Sequence, residues 1–582
     1  MRVTITKSQR IADMKSCFCN IAGNRQGWLD FFRALPLRFY HSEGEWQYHW
    51  EVPQSKLQDI LDKASTFQEE VVVSIPDYTD ESTRELPEGF EFKTQPFAHQ
   101  LDGFFFGLNH ECFLLGDEQG LGKTKQILDI ACALKAQGKI KHALIVCCDN
   151  AVKWNWVEEV KTHTNEDSFV LGTRYKKRSK DSYVGGNEDR YWDLCHLEDI
   201  PQFFLITNVE TLRFVKRVPM GKPKKDGSRR LVKRYIIADK LNELASNGGI
   251  GLIAVDEIHK AKNPNSNQGS ALLRIENGRR IPMTGTPILN AATDCYVPLK
   301  FMGLVKDTQS GFVSRYTTKD WLGNINGWRN LDELHSIISG NMLRRLKKDV
   351  LDLPPKLHKV HYVEMSKEQQ AVYDDVYRQI KEKIDLVRVA KNPLAEMIRL
   401  RQATGWTGIL SSEIQCSAKL DRLEELVEEQ VSSGSKCIVF SNWTSVTQPI
   451  LQRLSRFNPA YITGEVDSAR RIQEVNRFQQ DPGCKVCIGT ISAMGVGLTL
   501  TAATNVLFMD EPWNRGVKEQ CEDRAHRIGT TGTVNIGTLI TKGTIDERIH
   551  QLITDKGELA DLLVDGIIPE GRKEKLVDFL LS

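Results

Sequence analysis

The chain has 582 residues, which is too many for one hydrophobic core, so two to four domains are expected. With 40% hydrophobic and 26% charged residues and a formal net charge of +2, it has an ordinary globular composition, so nucleic-acid binding would require local basic patches. The N-terminus lacks a signal-peptide pattern, and no apolar run is long enough to cross a membrane, so neither export by these routes nor a membrane span is expected.

Residues 1–90 predict a small α+β module. The pattern WLDFFRAL indicates a helix, RFYHSEGEWQYHWEV an aromatic hairpin, and KLQDILDKA a second helix. Trp46, Tyr48 and Trp50 alternate, so they share one face of a strand. That face is interpreted either as the core of the module or as an aromatic and basic DNA-binding surface.

The polar stretch 81–96 is interrupted by Pro87 and Pro96 and is typical of a linker. Gln100 follows it, a short way before a glycine-rich stretch. Its amide offers both a donor and an acceptor, so it is a candidate for reading the edge of adenine; the alternative is an ordinary helix-surface glutamine.

The stretch LLGDEQGLGKTKQ, residues 114–126, predicts a phosphate loop. Two apolar residues close a buried strand, a glycine-rich turn follows, and a helix then begins. Backbone N–H groups, the helix N-terminus and a lysine would converge on a triphosphate. Asp117 stands where the usual consensus has its first glycine. The predicted nucleotide-binding residues after it are Gly120, Gly122, Lys123, Thr124 and Lys125.

Short apolar runs such as KHALIVCCDN and FFLITNVETL alternate with helical patterns, which predicts a doubly wound α/β domain. The stretch 213–234 interrupts this alternation with ten Lys or Arg residues and one Asp. It is interpreted as a solvated surface hairpin or as a DNA contact with strongly salt-dependent affinity. A second basic cluster lies at 174–180.

The stretch GLIAVDEIHKAKN places Asp256 and Glu257 at the end of a predicted strand, where α/β sheets bind ligands. Asp256 is the candidate for holding Mg²⁺ together with Thr124, and Glu257 for orienting and deprotonating water. In RIPMTGTPILN, Thr284, Gly285 and Thr286 are expected beside the nucleotide.

Three of these stretches together resemble a known family. The patterns D-E-x-G-L-G-K-T, D-E-I-H and T-G-T-P are similar to superfamily-2 helicase motifs, and the phosphate loop with Asp first resembles that of the Swi/Snf-type DNA-translocating ATPases. MLRRLKKDVLDLPPK, residues 342–356, resembles the junction into that group's second lobe.

The second half of the chain contains further strand patterns and one more motif. Gly495 and Gly497 lie in a loop between two predicted strands. Arg524 and Arg527 are three residues apart, hence on one helix face, and arginine grips phosphate oxygens bidentately. Q-x-x-D-R-x-x-R-I-G resembles the arginine-finger motif of the Swi/Snf group. The resemblance covers about 95–550 and departs from the family's pattern at Arg515 and Thr530, outside the catalytic set.

The resemblance implies an α/β fold with two tandem RecA-like doubly wound parallel-sheet lobes, a small α+β N-terminal domain and a helical insertion. The expected division is 1–90, a module whose order of elements resembles the HARP domain of annealing helicases; 91–340, the ATP-binding first lobe; 341–430, a helical junction; and 431–582, the second lobe with the arginine fingers.

The resemblance also implies a function, an ATP-dependent double-stranded DNA translocase that remodels protein–DNA complexes or branched DNA. ATP and Mg²⁺ would be bound by Lys123, Thr124, Asp256 and Glu257, and the two arginines would reach them on closure of the cleft. Residues 284–286 and 495–501, including Thr499, would couple this closure to DNA, and Trp513 would lie near DNA or in the core.

Two alternatives stay open at this point. One is a strand-separating helicase acting on DNA or RNA, and the other is a DNA-binding scaffold without turnover, which would not need the intact catalytic set. The expected partners are duplex or branched DNA and other replication or repair proteins, and the expected state is a monomer without membrane attachment. The expected location is the cytoplasm of a prokaryote or of a virus-infected cell, or the nucleus of a eukaryote. The scattered cysteines fit a reducing compartment.

Overall fold

The structure is a computed structural model with two large α/β lobes and a small N-terminal unit. The residues that it describes are 2–7, 15–20, 25–35, 39–40, 50–53, 57–67, 72–74, 85–147, 152–175, 182–220, 230–285, 292–319, 325–351, 353–383, 394–495, 498–530, 532–555 and 579–581. None of the described helices is long and apolar enough to cross a membrane.

The N-terminal unit is a five-stranded sheet with two helices. Its strand order is β3-β4-β2-β1-β5, antiparallel except for the parallel pair β1–β5. Its elements are β1 Arg2–Lys7, β2 Lys15–Asn20, α1 Arg25–Ala34, β3 Phe39–Tyr40, β4 Trp50–Pro53, α2 Leu57–Thr66 and β5 Val72–Ser74.

Trp50 belongs to the core of this unit. Its ring stacks on Phe32 with centroids 5.7 Å apart, and Phe32 in turn stacks on Trp28. For Trp50 the core interpretation is therefore confirmed, because the side chain is 8% exposed. Trp46 and Tyr48 lie outside the described residues.

The chain joins the first lobe earlier than the predicted boundary at residue 91. Residues 85–97 contain no helix or strand, as expected of a linker. However, the Phe90 ring is buried and stacks on Phe104 with centroids 5.2 Å apart. The apolar Phe90 thus anchors the end of the linker to the core of the first lobe.

The first lobe is built around a parallel sheet of order β15-β14-β7-β11-β8, and β6 joins it beyond β15 through bridges from Cys112 and Leu115. Its elements are α3 Ala98–Asn109, β6 Leu114–Leu115, α4 Lys123–Ala136, β7 Ala143–Cys147, α5 Val152–His163, β8 Ser168–Val170, β9 Thr173–Tyr175, β10 Ser182–Val184, α6 Asn187–Cys195, β11 Phe204–Asn208, α7 Val209–Leu212, β12 Val215–Met220, β13 Arg230–Tyr235, α8 Ile236–Ser246, β14 Leu252–Val255, α9 Asn267–Leu272, β15 Arg279–Pro282, α10 Tyr296–Met302, α11 Gln309–Tyr316, β16 Thr317–Lys319, β17 Ile325–Trp328, α12 Leu331–Ser339 and β18 Met342–Leu343.

The continuous apolar runs of the sequence are explained by burial of this sheet on both faces. In β7, the side chains of Ala143, Ile145 and Cys147 pack in one core cluster, and those of Leu144 and Val146 pack in the other. A parallel strand covered by helices on both sides has no solvent face and therefore needs no polar alternation.

The second lobe has a six-stranded parallel sheet of order β19-β24-β23-β20-β22-β21. Its elements, with those of the junction, are α13 Lys347–Val350, β19 Lys356–Val363, α14 Lys367–Glu382, α15 Leu394–Gly405, α16 Ala418–Ser432, β20 Cys437–Ser441, α17 Thr444–Arg453, β21 Ala460–Ile462, α18 Ser468–Gln480, β22 Val486–Thr490, α19 Ile491–Met494, β23 Asn505–Phe508, α20 Arg515–Glu522, β24 Val534–Thr541 and α21 Ile545–Asp555. The predicted fold class, two doubly wound parallel-sheet lobes, is confirmed.

The segment 341–430, expected to be a helical junction, contains two strands. Met342–Leu343 pairs with Leu114–Leu115 in the first lobe, and Lys356–Val363 pairs along its whole length with Val534–Thr541 in the second. The helical prediction is wrong for these residues, because pairing with strands far away in sequence overrides local preference. The junction is consequently attached to both sheets.

Candidate active site

The phosphate loop, residues 116–122, connects β6 to the first turn of α4. Gly120 and Gly122 have φ angles of 83° and 75°, in the left-handed region where a side chain is strained. The Lys123 ammonium folds back into the loop and donates to the carbonyl oxygen of Asp117 at 2.8 Å. The sequence prediction of a glycine turn followed by a lysine at a helix start therefore matches the local geometry.

The Lys123 ammonium lies in a buried, negatively charged environment. Burial lowers its pKa, while the carboxylates of Glu257, Asp117 and Asp256 act in the opposite direction, and the net shift is downward. No carboxylate among the described residues pairs directly with this cation, so it is suited to receive an anionic ligand.

Asp256 and Glu257 follow directly after β14, at the carboxyl end of the sheet. Asp256 Oδ2 accepts a hydrogen bond from Trp156 Nε1 at 3.2 Å, and burial followed by the neighbouring Glu257 raises the pKa of Asp256. Glu257 Oε2 lies 3.2 Å from Nδ1 of His259. Burial alone would raise the pKa of Glu257, but the hydrogen bond and charge of His259 hold it below its ordinary value.

Glu257 also has an unusual backbone. Its φ of 48° and ψ of 52° lie in the left-handed region, which non-glycine residues seldom occupy. Such strain persists where the surroundings fix the conformation, and it concentrates at functional sites. This backbone conformation places the Glu257 carboxylate at the carboxyl end of the sheet.

Gly285 lies against the phosphate loop, and Thr284 lies beside His259; their position beside a nucleotide stays a prediction. Thr284 Oγ1 lies 3.1 Å from His259 Nδ1. A Cβ atom on Gly285 would lie 2.2 Å from Gln119 Cγ and 3.1 Å from Lys123 Nζ, so a larger residue there would displace the Gln119 side chain. Thr286 lies outside the described residues, as does Gly497.

The two predicted arginines of the second lobe lie against the phosphate loop of the first. Arg524 Nη2 donates to Gln119 Oε1 at 3.1 Å, and Nη1 donates to the Leu498 carbonyl at 3.2 Å. Arg527 Nη1 donates to Thr499 Oγ1 at 2.7 Å, and a Cβ atom on Gly120 would lie 3.1 Å from Arg527 Cβ. The structure thus brings together groups that are about four hundred residues apart in sequence.

Gln119 links the two halves of the site. Its amide accepts from Arg524 and donates from Nε2 to Glu257 Oε1 at 3.3 Å. Sequence reasoning missed Gln119, because it occupies a variable position of the loop motif, and nothing local indicates that its amide bridges two lobes. Its position inside the motif was the only available signal.

Two predicted nucleotide-binding side chains are engaged elsewhere in this structure. The Lys125 ammonium is paired with Asp129, one turn further along α4, at 2.7 Å and lies 5.3 Å from the centroid of the Phe92 ring. These contacts hold it away from the phosphate loop. The Gln100 amide donates to the Leu121 carbonyl at 3.2 Å and accepts from the Phe97 amide at 3.0 Å. Reading adenine through both functions would require Gln100 to exchange these partners.

The remaining predicted coupling residues lie in the second lobe. A Cβ atom on Gly495 would lie 2.5 Å from the Ile491 carbonyl oxygen, so the turn after α19 is closely packed. Trp513 is half-buried, and the Arg401 guanidinium lies 4.6 Å from its ring centroid, with Trp443 on another side at 5.0 Å. Trp513 therefore has a packing role, and its proximity to DNA stays a prediction.

Asp117, which departs from the glycine consensus, anchors the loop to the junction. Its fully buried carboxylate accepts from Arg345 Nε at 2.9 Å and from Gln126 Nε2 at 3.0 Å. The Arg345 backbone amide also donates to it at 3.1 Å. Arg345 belongs to the segment that resembles the inter-lobe junction, and the structure adds it to the residues that hold the loop.

Replacing Arg345 with methionine should lower the free energy of unfolding by about 3–5 kcal/mol, because it leaves the buried Asp117 carboxylate without its cation. The first transition in urea unfolding, followed by fluorescence, measures this. Lys348→Met, at an exposed position nearby, is the matched control and should change stability by less than about 0.5 kcal/mol. Equal stability of the two variants would contradict a stabilising role for the pair.

The residues present fit a nucleotide with Mg²⁺. Gly120 and Gly285 leave space beside the phosphate loop, which a Cβ atom at either position would occupy. The Thr124 hydroxyl makes no hydrogen bond with any residue in the described part of the chain, and Asp256 supplies a carboxylate. Because no group of three or more His, Cys, Asp or Glu lies close enough within the described residues to hold a metal, most ligands of a Mg²⁺ ion would be water and phosphate oxygens.

Comparison with known families gives two adjoining matches. The family described as SNF2-related domain matches residues 46–408, which is more than half of the chain. The family described as helicase conserved C-terminal domain matches residues 418–529, which include both arginines of the cleft.

Individual relatives match over most of this chain. DNA annealing helicase and endonuclease ZRANB3 of Homo sapiens is 29% identical over 512 residues, covering 84% of this chain and 42% of the relative. DNA excision repair protein CSB of Oryza sativa is 25% identical, covering 75% of this chain and 38% of the relative. The chain therefore spans less than half the length of these curated relatives.

Among solved structures, the Sulfolobus solfataricus SWI2/SNF2 ATPase core in complex with dsDNA is 24% identical to this chain. The alignment covers 85% of this chain and 97% of the other, with a TM-score of 0.36.

Proposed function

The chain belongs to the SNF2-related family, and we propose that it hydrolyses ATP to move along double-stranded DNA. The observation that carries the proposal is the contact between Arg524 of the second lobe and Gln119 in the phosphate loop of the first. The Arg524 guanidinium reaches the phosphate loop only when the two lobes are in contact. Closure of the cleft between the lobes would therefore control hydrolysis.

Lys123 and the loop amides would hold the phosphates of the nucleotide, and Thr124 and Asp256 would hold Mg²⁺. The nucleotide supplies the phosphoanhydride bond, and the metal ion offsets phosphate charge. The Lys123 ammonium donates to backbone carbonyl oxygens of the loop in this structure. On nucleotide binding it would exchange these neutral acceptors for charged phosphate oxygens, which accept stronger hydrogen bonds.

Glu257 would orient the attacking water. Its lowered pKa keeps it ionised at neutral pH, so it can accept a hydrogen bond from water. A carboxylate with a low pKa is a weak base, however, so positioning contributes more than proton abstraction. Gln119 and His259 fix this carboxylate, and they are therefore positioning residues.

Arg524 and Arg527 would stabilise charge on the transferred phosphoryl group when the cleft is closed. DNA bound across both lobes would favour the closed cleft. Because such coupling is reciprocal, a bound nucleotide would in turn favour DNA binding. The junction contributes to this coupling. The Lys347 amide donates to Glu118 in the phosphate loop at 2.7 Å, and its ammonium pairs with Asp523 at 2.7 Å, next to Arg524.

The names of the relatives include a DNA annealing helicase and a DNA excision repair protein. Remodelling of branched DNA or of protein–DNA complexes is therefore part of the proposal, as are a monomeric state and work beside other replication or repair proteins. The likeness of residues 1–90 to the HARP domain stays a prediction about substrate recognition.

The test is the ATPase rate of the purified chain with duplex DNA, single-stranded DNA, forked DNA and RNA. We expect the highest rate with duplex or forked DNA and a rate that rises with duplex length. Stronger stimulation by single strands or RNA would favour a strand-separating helicase instead. Absence of hydrolysis with every nucleic acid would favour a binding scaffold.

A further inference from the structure

Two exposed aromatic rings lie beside a basic hairpin on the first lobe, and the ATP site uses neither. Tyr183 in β10 is 52% exposed and Trp192 in α6 is 53% exposed. We define the aromatic face as Tyr183 and Trp192, and the basic ribbon as the hairpin formed by β12 and β13. Exposed large rings grouped in this way indicate a binding surface.

The two rings share one face. Tyr183 is directly opposite Arg174 in the antiparallel pair β9–β10, so the two side chains point to the same side. The Arg174 guanidinium in turn lies 5.5 Å from the centroid of the Trp192 ring. Arg174 therefore connects the two rings across one continuous patch.

The patch is held rigidly. Arg174 Nη1 pairs with the buried Asp193 at 2.9 Å, and its Nε lies 3.3 Å from Asp189. Trp192 stacks on His196 with centroids 4.1 Å apart and an interplanar angle of 19°. A ring fixed as Trp192 is loses little conformational entropy when a flat partner stacks on it.

The basic ribbon carries more positive charge than the fold neutralises. Lys216 pairs with Glu188, and Arg234 Nε lies 3.9 Å from Asp239. Arg217 and Lys233 have no carboxylate partner among the described residues. Lys216 is directly opposite Arg234, and Arg217 is directly opposite Lys233. All four are exposed, and like charges in this position destabilise a strand pair. Neither strand contains an acidic residue. A polyanion on the ribbon would remove this repulsion.

The ribbon and the aromatic face adjoin. Lys216 Nζ pairs with Glu188 at 2.8 Å, and Glu188 lies four residues before Trp192, hence on the same side of α6. The acidic residues of α6 each lie beside a cation, which limits their repulsion of an anion. Lys216 pairs with Glu188, and Arg174 pairs with Asp193. Asp189 lies near both Arg174 and Arg190.

The β9–β10 hairpin and the basic ribbon both begin at the edge of the sheet that carries the proposed ATP site. The hairpin β9–β10 begins just after β8, and the basic ribbon begins shortly after β11. These two strands are parallel neighbours, with Val170 paired to Ile206. Asp256 emerges from the same edge at the end of β14. Nucleic acid lying along this edge would therefore reach the aromatic face.

We propose that the aromatic face and the basic ribbon together bind an unpaired DNA strand. The bases stack on Trp192 and Tyr183, and the phosphates pair with Arg217, Lys233 and Arg234. Stacking platforms beside a basic groove are the features that hold single strands, whereas a duplex keeps its bases stacked inside and would use only the cations. The inference rests on the proposed function, in which a translocase on branched DNA meets unpaired strands.

The test compares Trp192→Ala/Tyr183→Ala with the unchanged chain in binding to fluorescent oligothymidine and to a blunt duplex. Affinity for oligothymidine should fall by about 5- to 100-fold for each base that can no longer stack. Duplex affinity and the duplex-stimulated ATPase rate should be unchanged. Failure of the proposed function would instead appear as absent ATPase activity in the unchanged chain, so the two failures are distinguishable.

Two further variants sharpen the result. Trp192→Phe/Tyr183→Phe keeps the rings and should restore oligothymidine binding, whereas Trp328→Ala removes an exposed ring from another hairpin and should have no effect. Arg217→Gln/Lys233→Gln should reduce the salt dependence of oligothymidine binding, by about 0.7 in logarithmic slope for each phosphate that the ribbon no longer neutralises. Unchanged oligothymidine affinity in the double alanine variant, or an equal loss of affinity for the duplex, would overturn the proposal.

Discussion

Replacing Arg527 with alanine should lower the turnover number of ATP hydrolysis by about 10³–10⁵-fold while ATP affinity stays close to that of the unchanged chain. Among the described residues, the Arg527 guanidinium donates to the Thr499 hydroxyl, so its removal disturbs little of the folded lobe. Burial, followed by the neighbouring Arg524, lowers the pKa of Arg527, as expected where the natural counter-ion is a ligand. Steady-state kinetics and equilibrium binding of a fluorescent nucleotide separate the two quantities.

Arg515→Ala is the matched control for this experiment. Arg515 lies in the same segment of the second lobe, but its side chain is exposed, and its one ion pair with a described residue is with Glu519, four residues away on α20. Its replacement should leave turnover unchanged. A fall in nucleotide affinity in Arg527→Ala that matches the fall in turnover would contradict a role confined to the transition state.

Lys123→Ala and Glu257→Gln should both strongly lower the rate of ATP hydrolysis, but for different reasons. Without Lys123 the loop loses its cation, so we expect weakened ATP binding as well as lost hydrolysis. Without the Glu257 carboxylate, water is no longer oriented, so hydrolysis should fall by about 10²–10⁴-fold while ATP remains bound. Filter binding of ATP and single-turnover hydrolysis distinguish the two defects.

Lys135→Ala serves as the control, because Lys135 lies on the same helix as Lys123 and is exposed, with Glu166 as its partner. Circular dichroism should show that all three variants are folded. Retained turnover in either the Lys123 or the Glu257 variant would refute the assignment of the phosphate loop and the acidic pair.

The junction between the lobes contacts the phosphate loop directly, which a simple hinge would not require. Arg345 binds the loop at Asp117, and Lys347 contacts Glu118 on one side and Asp523 on the other. The Lys347 side chain is buried, and that of Arg345 is 13% exposed. A change in the relative position of the lobes must therefore break or remake charged contacts at the loop itself. This provides a physical route between lobe movement and nucleotide binding.

The sequence alone determined the place of the phosphate loop, the place of the acidic pair and the type of fold. Gly120, Gly122 and Lys123 lie within one turn and its helix, and Asp256 and Glu257 lie where one strand ends, so each group depends only on neighbouring residues. Apolar runs without polar alternation likewise predicted strands buried on both faces, because burial on two sides leaves no position for polar residues.

Only the tertiary structure decided which distant residues complete these groups. Gln119 is about four hundred residues from Arg524, and Arg345 is more than two hundred from Asp117, so no local periodicity signals either contact. The strand at Lys356–Val363 was likewise set by its distant partner strand Val534–Thr541, against the local pattern. A sequence pattern reports spacing along one element, whereas the energy of a buried charge or of a strand pair depends on what the rest of the fold brings beside it.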